Sequence, residues 1–104
     1  MKLIELVNAR YALQKLVAQD LPIRLAYRLM TLTESCNRYL NFYGQEVDKL
    51  GEDPDPQRLK ELQDFEITDL NETKLRLPVM DGLMLSASDV KALEPLIEFF
   101  EEEQ

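Results

Sequence analysis

Few residues in this chain could do chemistry. It has one cysteine, Cys36, and no histidine, so Ser-His-Asp and Cys-His catalytic arrangements cannot be built within it. One cysteine without histidine also excludes the usual structural zinc sites. Cys36 lies on the apolar face of a predicted helix, where a free thiol acts as a small hydrophobic side chain. The sequence therefore predicts a protein that is not an enzyme and needs no cofactor.

Carboxylates in the middle of the chain invite comparison with a metal site. They are Asp53, Asp55, Asp64, Glu66 and Asp69. A calcium loop places oxygen ligands at alternating positions around a glycine and ends on a bidentate glutamate. Asp53-Pro54-Asp55-Pro56 lacks that glycine, and its prolines stiffen the backbone. We interpret this segment as a solvated loop and predict no metal site.

The net charge is −8, from 20 acidic and 12 basic residues. Such a balance disfavours direct binding of nucleic acid, which depends on Lys and Arg to neutralise phosphates. The acidity either serves solubility or forms a surface that competes for a basic groove on another protein. Arg24 and Arg28, spaced i and i+4, could hold an acidic partner or pair with nearby acids such as Asp20.

The longest periodic segment, residues 21–50, predicts the helix that organises the fold. Its apolar face comprises Leu25, Leu29, Leu32, Cys36, Tyr39, Tyr43 and Leu50. Pro22 suits the first turn and Gly51 a helix end. A second apolar patch of Ile23, Tyr27 and Met30 predicts that the first half of this helix is packed on two sides, between the first helix and the C-terminal unit.

Aromatic residues crowd the second half of the long helix, which the first helix, residues 3–19, is too short to cover. Tyrosine is frequent at protein interfaces because it joins an apolar ring to a polar tip. Tyr39, Phe42 and Tyr43 suit the core and an interface equally well. Together with Val47 and Leu50 they form the candidate interface. Two coverings remain open: a short helix that starts at Asp55-Pro56 and folds back, or a second copy in a homodimer.

The predicted fold is α+β and mostly α, in a single domain over residues 1–104. An antiparallel helical hairpin with a long central helix is followed by a short third helix, ending near Asp64. A small β-hairpin is predicted over residues 66–77, turning at Asn71-Glu72, with a third short strand over 83–85. Ser86 and Asp89 predict the start of a C-terminal helix that runs to Phe100 and that Pro95 kinks or splits after Leu93.

No apolar run is long enough for a membrane span, and the N-terminal segment MKLIELVNAR does not fit a secretory signal. The expected location is the cytoplasm, and no membrane partner is expected.

The order of features resembles a family of small bacteriophage and prophage proteins of unknown function. The matching residues are Leu13, Lys15, Leu16, Leu21 and Pro22, then Ala26-Tyr27-Arg28-Leu29, Gly51-Glu52, the alternating segment 66–77, Leu85-Ser86-x-x-Asp89 and Ala92-Leu93-Glu94-Pro95-Leu96-Ile97. This chain departs from the family in a shorter middle segment and in Ala87, where the family often has proline. The resemblance implies a phage context and carries over no catalytic or binding residue.

Two functional hypotheses follow. The first is a phage accessory protein of assembly or scaffolding type, acting in the host cell through helix-mediated contacts with itself or another protein. The alternative is a phage-encoded inhibitor of a host or defence protein that handles nucleic acid, acting through its acidic surface.

Overall fold

The structure, a computed structural model, describes residues 1–70, 74–80 and 82–101. The elements are α1 (Leu3–Val17), α2 (Ile23–Leu50), α3 (Pro56–Gln63), β1 (Leu75–Pro78), α4 (Ala87–Leu93) and β2 (Ile97–Phe100). The fold is therefore mostly α-helical with a small sheet, as predicted. The molecule measures 53 × 24 × 19 Å, and α2, at about 42 Å, accounts for most of its length.

Local capping signals place the helix ends where the sequence predicts them. The Asp55 carboxylate accepts a hydrogen bond from the Gln57 backbone N–H at 3.0 Å, which caps α3. Ser86 and Asp89 form a reciprocal capping box at the start of α4, with bonds of 3.0 and 3.1 Å. Helix α2 ends at Gly51, whose φ of 76° suits glycine. Each of these signals acts within a few residues of its own position.

The centre of the core is α1 rather than the longer α2. Among the described residues, α1 buries Leu3, Leu6, Ala9, Ala12, Leu13 and Leu16, whereas α2 buries only Leu29 and Cys36. Helix α1 buries more residues because it lies between α2, α3 and α4 and contacts all three. The wide apolar arc of α1 matches these several neighbours, as an amphipathic helix that is covered on more than one side requires.

The predicted β-hairpin over residues 66–77 is wrong in its pairing. Strand β1 instead pairs in parallel with β2, with Leu75 opposite Ile97 and Pro78 opposite Phe100. The predicted turn at Asn71-Glu72 lies outside the described residues. The first predicted arm contacts the N-terminus: Glu66 forms a bridge with Lys2. Parallel strands need a long crossover, here residues 79–96 with α4, so the true partner of β1 is distant in sequence.

The C-terminal segment breaks after Leu93, one of the two predicted effects of Pro95, but the helix predicted beyond that point is wrong. Helix α4 stops at Leu93, and residues 97–100 form β2. Pro95 cannot donate to a continuing helix, and the aromatic and β-branched residues after it suit a strand. Residues 83–85, predicted as a third strand, adopt no regular structure. Instead, the Gln19 side chain bonds the backbone of Met84 on both its N–H and its C=O.

Candidate interaction surfaces

The predicted interface on the second half of α2 is half-buried within the chain itself. Its residues are Tyr39, Phe42, Tyr43, Val47 and Leu50. The three aromatic residues pack against the core, and the Phe42 ring lies 5.6 Å from that of Phe65. Helix α3 folds back onto α2, which is the first of the two coverings predicted from sequence. Much of this surface is therefore already used for packing.

A polar cluster closes this half of α2 against the segment that leads to β1. The Tyr39 hydroxyl donates a hydrogen bond of 2.5 Å to Asp69 Oδ1. Arg38 lies 3.6 Å from the other Asp69 oxygen, and its guanidinium sits 5.5 Å from the centre of the Tyr39 ring. The donated hydrogen bond lowers the pKa of Asp69 and raises the pKa of Tyr39. We interpret the cluster as a structural contact at the surface, because Tyr39, Asp69 and Arg38 are paired with one another.

A line of exposed apolar side chains lies on the first half of α2, where the sequence predicts burial on two sides. Ile23 is 85% exposed, Tyr27 66% and Met30 47%. These residues recur at i, i+4 and i+7, so they form one line along the helix, which we call the apolar strip. Helix α2 does contact both α1 and β1, but neither covers this line, so the predicted burial of the second patch is wrong.

A signal for this exposure is present in the sequence. The helix face that carries the apolar strip continues through Glu34, Asn37 and Asn41, which are polar and exposed. A face that turns polar after two turns is typical of a solvent-facing side. The strip is therefore an apolar stretch on an otherwise hydrated face, rather than a second core face.

A small cleft opens beside the apolar strip, between the end of α1 and α2. Its volume is about 140 Å³, and Val17, Ala26, Leu29 and Met30 contribute to its walls. Val17 is itself 47% exposed. A cleft of this size with mostly apolar walls suits the tip of one aliphatic or aromatic side chain, the kind of anchor that dominates binding energy at protein interfaces.

The ends of the apolar strip carry opposite charges. Arg24 and Arg28 flank its N-terminal part, and Glu34 follows its last residue on the same face. In the part of the chain that the structure describes, none of these three side chains forms an ion pair. The predicted surface pairing of the two arginines with nearby acids such as Asp20 is thus not found. Their charges are available to a partner.

Cys36 is buried in the core, and burial raises the pKa of its thiol to about 11. A thiol so rarely ionised at neutral pH is a poor nucleophile, in agreement with its predicted place in the core. Asp55 is engaged as a helix cap. Over residues 1–70, 74–80 and 82–101, no three Asp, Glu, Cys or His side chains come close enough to share a metal ion.

In the described part of the chain, no helix has the length and apolarity needed to cross a membrane. No protein-family model, curated protein or solved structure matches this chain. Among the described residues, the apolar strip brings three exposed apolar side chains together on one helix.

Proposed function

We propose that this chain is a non-enzymatic accessory protein of a phage or prophage, of assembly or scaffolding type, that works in the host cytoplasm by binding another protein through the apolar strip. The observation that carries the proposal is the exposure of Ile23, Tyr27 and Met30 in one line on a long helix. Adjacent exposed apolar side chains are unfavourable in water and mark interaction sites when they are contiguous. The phage context rests on the sequence resemblance alone.

The composition of the apolar strip supports protein binding. Tyrosine and methionine are enriched in the centres of protein interfaces, and arginine is frequent there as well. Arg24 and Arg28 beside the strip provide a polar rim, and the adjacent cleft offers a place for an anchoring side chain. The surrounding scaffold supports this role: α1 packs against α2, and we infer that the two run antiparallel because only five residues link them.

The test is capture of phage proteins from infected cells by the purified chain. Ile23→Glu places a charge on the most exposed residue of the apolar strip and should abolish capture, since a buried unpaired charge opposes association. Asn37→Glu is the matched control because it adds the same charge on the same exposed face two turns beyond Met30. Capture that Ile23→Glu leaves intact would contradict the proposal.

A second candidate function is inhibition of a host or defence protein that handles nucleic acid. The acidic loop after the C-terminal end of α2 supports it. Glu52, Asp53 and Asp55 there are exposed in one short loop. A surface of this kind could occupy a basic groove, and its binding would weaken steeply as salt is added. Binding to such an enzyme that is insensitive to salt, or absent, would exclude this candidate.

A further inference from the structure

We propose that the protein bound by the apolar strip is a second copy of this chain, with the two α2 helices packed antiparallel about a two-fold axis. This inference rests on the proposed function and deepens it by naming the occupant. The order of charges along α2, the residues between them and the cleft beside the strip support a self-complementary interface.

The charges beside the apolar strip are complementary to those of a second copy of the strip that runs antiparallel to it. A two-fold interface uses the same patch on both copies, so the patch must complement itself. Arg24 flanks the N-terminal end of the strip, about 100° around the helix from Ile23, and Glu34 follows its C-terminal end, ten residues or about 15 Å further along. Antiparallel pairing centred between them places Arg24 of each copy beside Glu34 of the other. Neither residue has an ion-pair partner among the described residues.

The same axis brings the apolar residues into register. Tyr27 and Met30 lie on either side of the midpoint of the Arg24–Glu34 interval, so Tyr27 of one copy faces Met30 of the other. Contact between a thioether sulfur and an aromatic ring is favourable. Ile23, the most exposed apolar side chain of the strip at 85%, then lies toward the cleft that Met30 and Val17 border in the second copy. One axis therefore accounts for both the charged and the apolar residues.

Parallel pairing of the same helices is unfavourable. It would set Arg24 against Arg24 and Glu34 against Glu34, and like charges that face each other across an interface destabilise it. The N-terminal flank would gather four arginines, because Arg28 accompanies Arg24 in each copy. The sequence of charges thus selects the antiparallel arrangement.

The expected dimer is weak. A stable, specific interface buries about 800 Å² from each partner, and a strip of three exposed apolar side chains with a charged residue at each end supplies less than that. We therefore expect a monomer–dimer equilibrium with a dissociation constant in the micromolar range or weaker, at roughly 1 μM to 1 mM.

The experiment is sedimentation equilibrium of the full chain over a concentration series that reaches about 1 mM, the upper limit of this range. Arg24→Glu and Glu34→Arg should each weaken association roughly five- to thirtyfold, because each creates two like-charge contacts per dimer. The double variant Arg24→Glu with Glu34→Arg exchanges the charges and should recover association to within about threefold of the unmodified chain. Circular dichroism confirms that each variant is folded.

Asp48→Lys is the matched control, since it alters charge on the same exposed face far from the proposed axis, and it should leave association unchanged. Disulfide formation independently tests whether the two α2 helices are antiparallel. A mixture of Ile23→Cys and Glu34→Cys chains should form the mixed disulfide faster than Ile23→Cys chains link to each other. The native Cys36 contributes no background, because it is buried.

A chain that stays monomeric throughout the series, or a double variant that does not recover association, overturns the proposed dimer. The proposed function can fail separately. If the chain is monomeric but Ile23→Glu still abolishes capture of a phage protein, the apolar strip binds a different partner and only the dimer is lost. If the dimer forms as described but Ile23→Glu leaves capture intact, the dimer stands and the assembly role through this strip does not.

Discussion

The hydroxyl of Tyr39 donates a hydrogen bond to the carboxylate of Asp69 and thereby ties the middle of α2 to the segment before β1. This contact joins residues 30 positions apart in the chain. It explains why a tyrosine that looks like an interface residue in the sequence takes part in the fold instead. Its ionisation behaviour provides the first prediction.

Replacing Tyr39 with phenylalanine should destabilise the fold near neutral pH by an amount that shrinks in acid. The hydrogen bond from Tyr39 lowers the pKa of Asp69. A group with a lowered folded-state pKa stabilises the fold above its unfolded-state pKa, and that contribution is lost as the pH falls through the folded-state pKa. Urea unfolding of both proteins at a series of acidic pH values measures this. A difference in free energy of unfolding that stays constant with pH would contradict the prediction.

The phenol of Tyr39 should ionise at higher pH than an unpaired tyrosine, because its hydrogen bond to Asp69 raises its pKa. The sign is opposite to that of Asp69: the raised pKa stabilises the fold below the unfolded-state pKa of tyrosine and ceases to do so as the pH rises through the folded-state pKa. Spectrophotometric titration before and after Asp69→Asn measures the shift. Tyr11→Phe serves as the control, since Tyr11 has no carboxylate partner among the described residues and is bonded by Arg10.

Truncation of α1 side chains should destabilise the protein far more than truncation of the apolar strip. Leu6 has no exposed surface, so Leu6→Ala should lower the free energy of unfolding by about 2–5 kcal/mol through lost burial and a cavity. Ile23→Ala should change it by no more than about 0.5 kcal/mol, because Ile23 is exposed. Urea denaturation compares the two. Similar losses would mean that Ile23 is packed in solution.

Removal of the α3 cap should have a measurable effect on stability. Asp55→Ala deletes the acceptor for the Gln57 N–H and should cost about 0.5–2 kcal/mol. Asp53→Ala is the matched control, because it removes the same charge two residues earlier in the same exposed loop. Equal effects of the two substitutions in thermal unfolding would show that charge rather than capping is responsible.

Cys36 should react slowly with a disulfide-exchange reagent in the folded protein and rapidly in denaturant. Reaction requires the thiolate, and burial raises the pKa of this thiol to about 11. The colour released on thiol exchange at neutral pH, with and without denaturant, measures the two rates. Fast reaction of the folded chain would show that α2 opens readily around this position.

Signals contained within a few residues predicted the structure well. The caps at Asp55 and Ser86 and the helix end at Gly51 all depend on local backbone geometry, so the sequence beside them is sufficient. The length of α2 followed from periodicity, which persists across Gly44 because one glycine costs a helix only about 1 kcal/mol. These features define α2, α3 and α4, three of the four helices among the described residues.

Pairings between distant segments could not be predicted in this way. Ile97 and Phe100 are spaced three residues apart, which suits a helix as well as a short strand, and nothing near them indicates that residues 75–78 lie alongside. The exposure of the apolar strip could not be predicted for the same reason. Ile23, Tyr27 and Met30 were visible as a patch, but whether an apolar patch is covered depends on where the rest of the chain lies.

The packing of α1 against α4 has a consequence during synthesis. Leu6, Leu13 and Leu16 leave the ribosome early, while α4, one of the helices that contact α1, begins only at Ala87. Most of the chain must therefore be made before the apolar side of its first helix is fully enclosed. Slow translation of the second half of the chain would therefore prolong the exposure of these leucines to water.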